Sequence, residues 1–172
     1  ANGLNRFDKK NSKFICYHSD PANSNSLSSD IISSLIYDDK SDVLWIGTKS
    51  GGLNKYDVKK NLFTSFMHKD NDPKSLGNDH VLCLYKDASG RLWIGTYGGG
   101  LNRFDETKNE FIIYKNDPND SYSISDDFII SIEEDKAGKL LIGTNSGGLN
   151  YFDPASNKFY KYMHNTKNPE SI

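Results

Sequence analysis

Apolar positions in this chain come in short alternating runs of about five to seven residues, broken by clusters of Gly, Asp, Asn and Ser. That spacing is too short for helices and carries no 3.6-residue stripe, so it predicts strands and tight turns. In the middle of the chain four such runs follow one another, near residues 81–86, 91–97, 101–105 and 111–115. They are denoted positions A, B, C and D, from the axis of the expected fold outward. On run A, Leu35, Leu84 and Ile132 alternate with the small residues Ser34, Cys83 and Ser131. Small side chains suit innermost strands that converge near a crowded axis.

The pattern repeats. Gly-Leu-Asn, two residues and Asp recur from Gly3, Gly52, Gly100 and Gly148, and Ile-Gly-Thr recurs at Ile46, Ile94 and Ile142. Both markers step by 48 or 49 residues, a period that with strand-like content predicts propeller blades of four antiparallel strands. The A-to-B reversal reads Asp87-Ala88-Ser89-Gly90, and then Asp135-Lys136-Ala137-Gly138, with Asp39 and Asp42 in the first unit. Asp accepts turn N–H groups and Gly takes positive φ, so Asp42 is the strained member of its slot. Glycine pairs or triplets supply the B-to-C reversal, and Asp57, Asp105 and Asp153 set the C-to-D loop.

Large aromatics fall at fixed points: Trp45 and Trp93 on B, Phe7, Tyr56, Phe104 and Phe152 on C, and Phe14, Phe63, Phe111 and Phe159 on D. One blade cannot bury both of its faces, so these rings are expected to bind blade to blade. The third Trp slot is Leu141, where a looser contact is expected. By phase the chain holds outer strands C and D at 1–17 and complete blades near 31–67, 80–115 and 128–164. The fold class is therefore all-β: an open arc of about three and a half blades, expected to belong to a larger, seven-bladed propeller. Its exposed ends should meet adjoining blades of the same or another chain.

Composition narrows the function. Lys plus Arg number 21 against 23 Asp plus Glu, a net charge of −2, which offers no basic surface for nucleic acid. Two cysteines make no disulfide framework; Cys83 reads as a small core residue and Cys16 as an exposed one, on different blades. No apolar run is long enough to cross a membrane as a helix.

The stretches Leu82 to Thr96, ending in Leu92-Trp93-Ile94-Gly95-Thr96, and Gly99-Gly100-Leu101-Asn102-Arg103-Phe104-Asp105 closely resemble the two-component regulator propeller repeat. The resemblance runs through almost the whole chain, with Asp42 and Leu141 as the departures. It implies the periplasmic region of an inner-membrane sensor: about fourteen blades in two propellers, a β-sandwich, a membrane helix and a cytoplasmic histidine kinase. It also implies a homodimeric parent, an input from carbohydrate breakdown and an output in transcription. This segment would itself be no enzyme and would use no cofactor.

Catalytic groups do not assemble in the pattern. His18, His68 and His164 fall in nearly one slot of separate units and diverge, so no metal site is expected. The recurring Asp and the recurring Asn5, Asn54, Asn102 and Asn150 belong to the scaffold. Function should lie where repeats differ on a loop face. There the B-to-C loops offer Lys49, Tyr97 and Asn145, and His80 breaks an apolar slot otherwise filled by Ile31 and Phe128. Tyr97, beside three glycines, can stack on a sugar ring while its hydroxyl hydrogen-bonds. These four residues are the candidate ligand site, with an oligosaccharide or other small molecule as the partner. Two alternatives remain. Asp87, Gly90 and Trp93 resemble the Asp-box turn of sialidase-like propellers, yet Arg6, Arg91 and Arg103 are the only arginines available to hold a substrate carboxylate. The other is a structural propeller that mediates dimerisation.

Overall fold

The computed structural model describes residues 3–169 and 171–172. The first two residues of the 1–17 unit and residue 170 lie outside the described residues. Every regular element described is a strand: β1 (Leu4–Asp8), β2 (Lys13–Tyr17), β3 (Ile32–Asp38), β4 (Val43–Thr48), β5 (Leu53–Asp57), β6 (Leu62–Phe66), β7 (Val81–Lys86), β8 (Leu92–Thr96), β9 (Leu101–Asp105), β10 (Glu110–Tyr114), β11 (Ile129–Glu134), β12 (Leu140–Thr144), β13 (Leu149–Asp153) and β14 (Lys158–Tyr162). β1 and β2 pair alone, and the rest form three four-stranded sheets in sequence order, β3 to β6, β7 to β10 and β11 to β14. All pairings within them are antiparallel. The architecture is an open arc of propeller blades, with strands β3, β7 and β11 adjacent in space.

Core and blade do not coincide. One cluster joins Trp45 and Leu53 of the first four-stranded blade to Leu84, Ile94 and Phe104 of the second. The next joins Trp93 and Leu101 of the second to Ile132, Ile142 and Phe152 of the third. A smaller one joins Leu4 to Ile46, Tyr56 and Phe63. Hydrophobic burial therefore acts between sheets, which is why a blade needs its neighbour. Trp45 meets Phe104 edge-on at 5.3 Å and Trp93 meets Phe152 at 5.7 Å between centroids, so the tryptophan of strand B reaches across to strand C of the next blade. Leu141, in the third tryptophan slot, is half-buried.

Strand A of each blade carries a bulge, between Ile32 and Ser34, Val81 and Cys83, and Ile129 and Ser131. The bulge aims small groups at the next blade: Ser33 Oγ donates to Val81 O at 2.7 Å, and the Cys83 thiol reaches Ile129 O at 3.7 Å. Cys83 thus fills the seam between blades. Close approach explains the glycine of Ile-Gly-Thr, because a Cβ on Gly47 would stand 2.5 Å from Val81 Cγ1 and one on Gly95 2.5 Å from Cys83 Sγ.

Two local expectations change. Leu35 is 48% exposed, whereas its counterparts Leu84 and Ile132 are buried, because a two-stranded sheet lies over the first blade where full blades cover the others. In the first A-to-B hairpin Asp38 replaces Asp39 as the turn acceptor, taking bonds from Ser41 Oγ and Lys40 N while Asp39 is exposed. Asp42 does hold the left-handed conformation, at φ 57°, in the slot where Gly90 and Gly138 have 85° and 80°.

The connections from D to the next A are ordered by side chains. Asn54, Asn102 and Asn150 are fully buried, and their carbonyls accept the N–H of Ser28, Gly77 and Ser125 at 3.0, 2.8 and 2.9 Å. Each connection also runs beside strand D of the blade it enters, where Phe63, Phe111 and Phe159 donate their N–H to Asn25, Lys74 and Tyr122.

Candidate functional site

The rim where strands A begin and strands B end is built from one recurring backbone bond. Lys49 N donates to Ile31 O, Tyr97 N to His80 O and Asn145 N to Phe128 O, at 2.9, 2.9 and 3.0 Å. Each blade therefore presents two side chains side by side on one face: Ile31 and Lys49, His80 and Tyr97, Phe128 and Asn145. The B-to-C loops and D-to-A connections share this face, since Gly52 N and Gly100 N donate to Asp79 O and Asp127 O.

At the middle pair the rings converge. His80 stacks on Tyr97 at 5.1 Å with 21° between planes, and Phe128 of the next blade meets Tyr97 edge-on at 4.5 Å. Tyr97 thus contacts rings of two blades yet remains 52% exposed. Partial burial, and then the nearby Lys49 ammonium, hold the His80 imidazole below the ordinary histidine range. Near neutral pH it is a neutral ring able to donate or accept one hydrogen bond.

Of the four residues singled out from the sequence, His80 and Tyr97 are in ring contact, and Lys49 lies close enough to act on His80 electrostatically. Asn145 is exposed one blade further round, beyond Phe128. Sequence reasoning missed Phe128 as a member of the ledge, although its slot is the one His80 interrupts. It also missed the Ser146 clasp, in which Ser146 N and Oγ both donate to Asp126 Oδ2 at 2.8 Å. Those bonds hold the Asp126 carboxyl below its usual range against the opposing effect of burial.

The remaining histidines serve the scaffold. His68 Nδ1 bonds Leu76 O at 2.8 Å and His164 Nδ1 bonds Ile172 O at 2.9 Å. Asn116 fills the same slot with an amide bond to Ile124 O, and His18 stands one residue out of phase. The arginines have packing roles: Arg6 lies over Tyr17, Arg103 over Trp93, and Arg91 bonds Asp87 while also lying over Trp93. Among the described residues no three His, Cys, Asp or Glu side chains gather as a metal site.

Comparison with known proteins agrees with this architecture. Residues 75–98 match the family model described as two component regulator propeller. Among solved structures, the chain is similar to the extracellular domain of a protein assigned as hybrid two component system BT3049 from B. thetaiotaomicron, with TM-score 0.82 and 25% identity over 95% of this chain and 22% of that one. The extracellular domain of BT4673 from the same organism, assigned likewise, matches with TM-score 0.72 and 24% identity over 99% of this chain and 21% of that one. Virginiamycin B lyase from Staphylococcus aureus shares the fold alone, with TM-score 0.57 and 16% identity over 77% of this chain and 41% of that one. No curated protein matches the chain. It spans about a fifth of the length of the two-component system structures it resembles.

Proposed function

From a chain that carries the two-component regulator propeller repeat, we propose a ligand-sensing and signal-transmitting propeller segment in the periplasmic region of a two-component sensor. The parent protein is a homodimeric histidine kinase that controls transcription, and its ligand is a carbohydrate. The observation that carries the reading is the Tyr97 ledge: one half-exposed ring, in contact with His80 and Phe128, interrupts an otherwise regular rim. A sugar that meets the exposed part of this ring and its hydroxyl does so at small entropic cost, because the ring is already fixed. Lys49 and Asn145 flank it as polar groups for the sugar hydroxyls. Since the ledge spans the seam between two blades, a ligand seated there favours one arrangement of that seam, as a sensor requires.

Titration calorimetry of the full chain with a panel of oligosaccharides tests this. Binding by at least one member, weakened about tenfold by Tyr97→Ala at an unchanged melting midpoint, is expected; tenfold corresponds to about 1.4 kcal/mol. Binding by no member would favour a structural, dimer-forming propeller, and turnover of a member would favour the glycan-active alternative. Against the latter, all three arginines are engaged in packing contacts.

A further inference from the structure

Strand D, the outer edge of each four-stranded blade, carries one slot beside the connection that enters the blade, and the three blades fill it differently. The slot holds Ser65 on β6, Ile113 on β10 and Lys161 on β14. Ile113 packs against the apolar cluster between the first two of these blades. Lys161 reaches the connection, where its ammonium donates to Ser123 Oγ at 3.4 Å. Ser65 is too short for either. Along β6 a cavity of about 320 Å³ opens instead, its lining including Asp20, Ser24, Ser26, Leu27, Ser65 and Met67.

The serine that receives the Lys161 ammonium is a repeating part. Ser26, Ser75 and Ser123 accept the N–H of Asp20, Lys69 and Asp117 at 3.0, 2.9 and 3.0 Å, so the three connections correspond residue for residue here. Charge at the donor position follows the slot. Asp117 accompanies the cationic Lys161, and Lys69 accompanies the neutral Ile113. The first of these blades departs from that rule: Asp20 is a carboxylate, yet its slot holds serine and neither Lys nor Arg lines the cavity. Asp20 Oδ1 accepts Ala22 N at 2.9 Å, while Oδ2 and the Ser24 and Ser65 hydroxyls have no partner among the described residues. Buried Leu27 and half-exposed Met67 add an apolar wall.

We propose that this cavity binds a small molecule bearing a primary ammonium, which takes the place that the Lys161 ammonium has on β14. The guest ammonium donates to Ser26 Oγ, whose second lone pair is available as that of Ser123 is, and faces the Asp20 carboxylate. The rest of the guest meets the Ser24 and Ser65 hydroxyls and the Leu27 and Met67 side chains. An amino sugar and an aliphatic amine share this chemistry. The cavity involves none of the residues of the Tyr97 rim, so the inference stands whatever that rim binds.

The two methionines make the test internal. Met67 stands two residues past Ser65 and Met163 two past Lys161, so one methyl flanks the open slot and the other the filled one. With isotope-labelled methionine methyls in the full chain, NMR titrations with glucosamine and with butylamine are run separately. At least one of the two is expected to shift Met67 saturably while Met163 stays in place, and the tighter of them identifies the source of the ammonium. N-acetylglucosamine, which lacks the charge, should bind about tenfold more weakly than glucosamine. Ser65→Lys copies the β14 residue onto β6, so it is expected to keep the melting midpoint and to weaken binding about tenfold. Asp20→Asn keeps an acceptor for Ala22 N and should weaken binding about threefold, as loss of an exposed ion pair does. A Met67 signal indifferent to both amines overturns the proposal. So does a shift that survives both substitutions unchanged, or one that N-acetylglucosamine reproduces at the same concentration as glucosamine.

Discussion

The indole N–H of Trp93 donates to Asp87 Oδ2 at 2.8 Å, tying a seam-filling ring to the hairpin that precedes it. The same carboxylate accepts Arg91 Nε at 2.6 Å and Arg91 N at 2.8 Å, and Asp87 is only 4% exposed. Asp87→Ala leaves three donors without their acceptor, so a loss of about 2–4 kcal/mol in urea unfolding is expected. Asp87→Asn keeps one carbonyl oxygen and should lose less.

Acid should weaken the seam between the first two four-stranded blades. The Lys86 ammonium and then Ser41 Oγ donate to Asp38 and lower its carboxyl from 3.8 to about 2. A folded-state value below the unfolded one gives stability that is present above pH 3.8 and lost as pH falls through about 2. Urea midpoints followed from neutral pH into that window should fall in the native chain. Lys86→Met should start lower and show a shallower fall across the same window.

The two thiols should differ in kinetics. Cys16 is exposed, while burial pushes the Cys83 thiol up to about 12. At about pH 8 a thiol reagent is expected to label Cys16 in the folded chain and Cys83 only in denaturant. Cys83→Ser should cost under about 1 kcal/mol, since serine fills that slot at Ser34 and Ser131.

The recurring asparagines should separate by burial. Asn102→Leu removes the acceptor for Gly77 N and the amide bond to Gly100 O at 3.0 Å, an expected loss of about 2–3 kcal/mol by thermal or urea unfolding. Asn5→Leu, at an exposed amide whose side-chain partner is the Cys16 thiol, should change stability by less than about 0.5 kcal/mol.

Much of the fold was readable because each recurring residue acts locally. Gly47 and Gly95 permit close approach, Asn102 holds a connection, and Trp45 crosses a seam. A period of such residues locates the four strands of the middle blade to within a residue. The swap of Asp38 for Asp39 was hidden because both are turn acceptors one position apart. The direction of Cys83 depends on the bulge after Val81, and alternation by itself shows no bulge. At the rim, Tyr97 was legible as a departure from the repeat. Its packing on Phe128 was not, since those residues come from different blades and meet through blade geometry alone.

The most direct measurement of the account is the NMR titration of the His80 ring protons in the full chain as oligosaccharides are added. His80 faces Tyr97 at 5.1 Å, so a sugar on that ledge shifts the imidazole signals saturably, and Tyr97→Ala moves the half-point of that shift to about tenfold higher sugar concentration while the fold persists. Signals of His80 that stay fixed while another surface of the chain binds the sugar would contradict it.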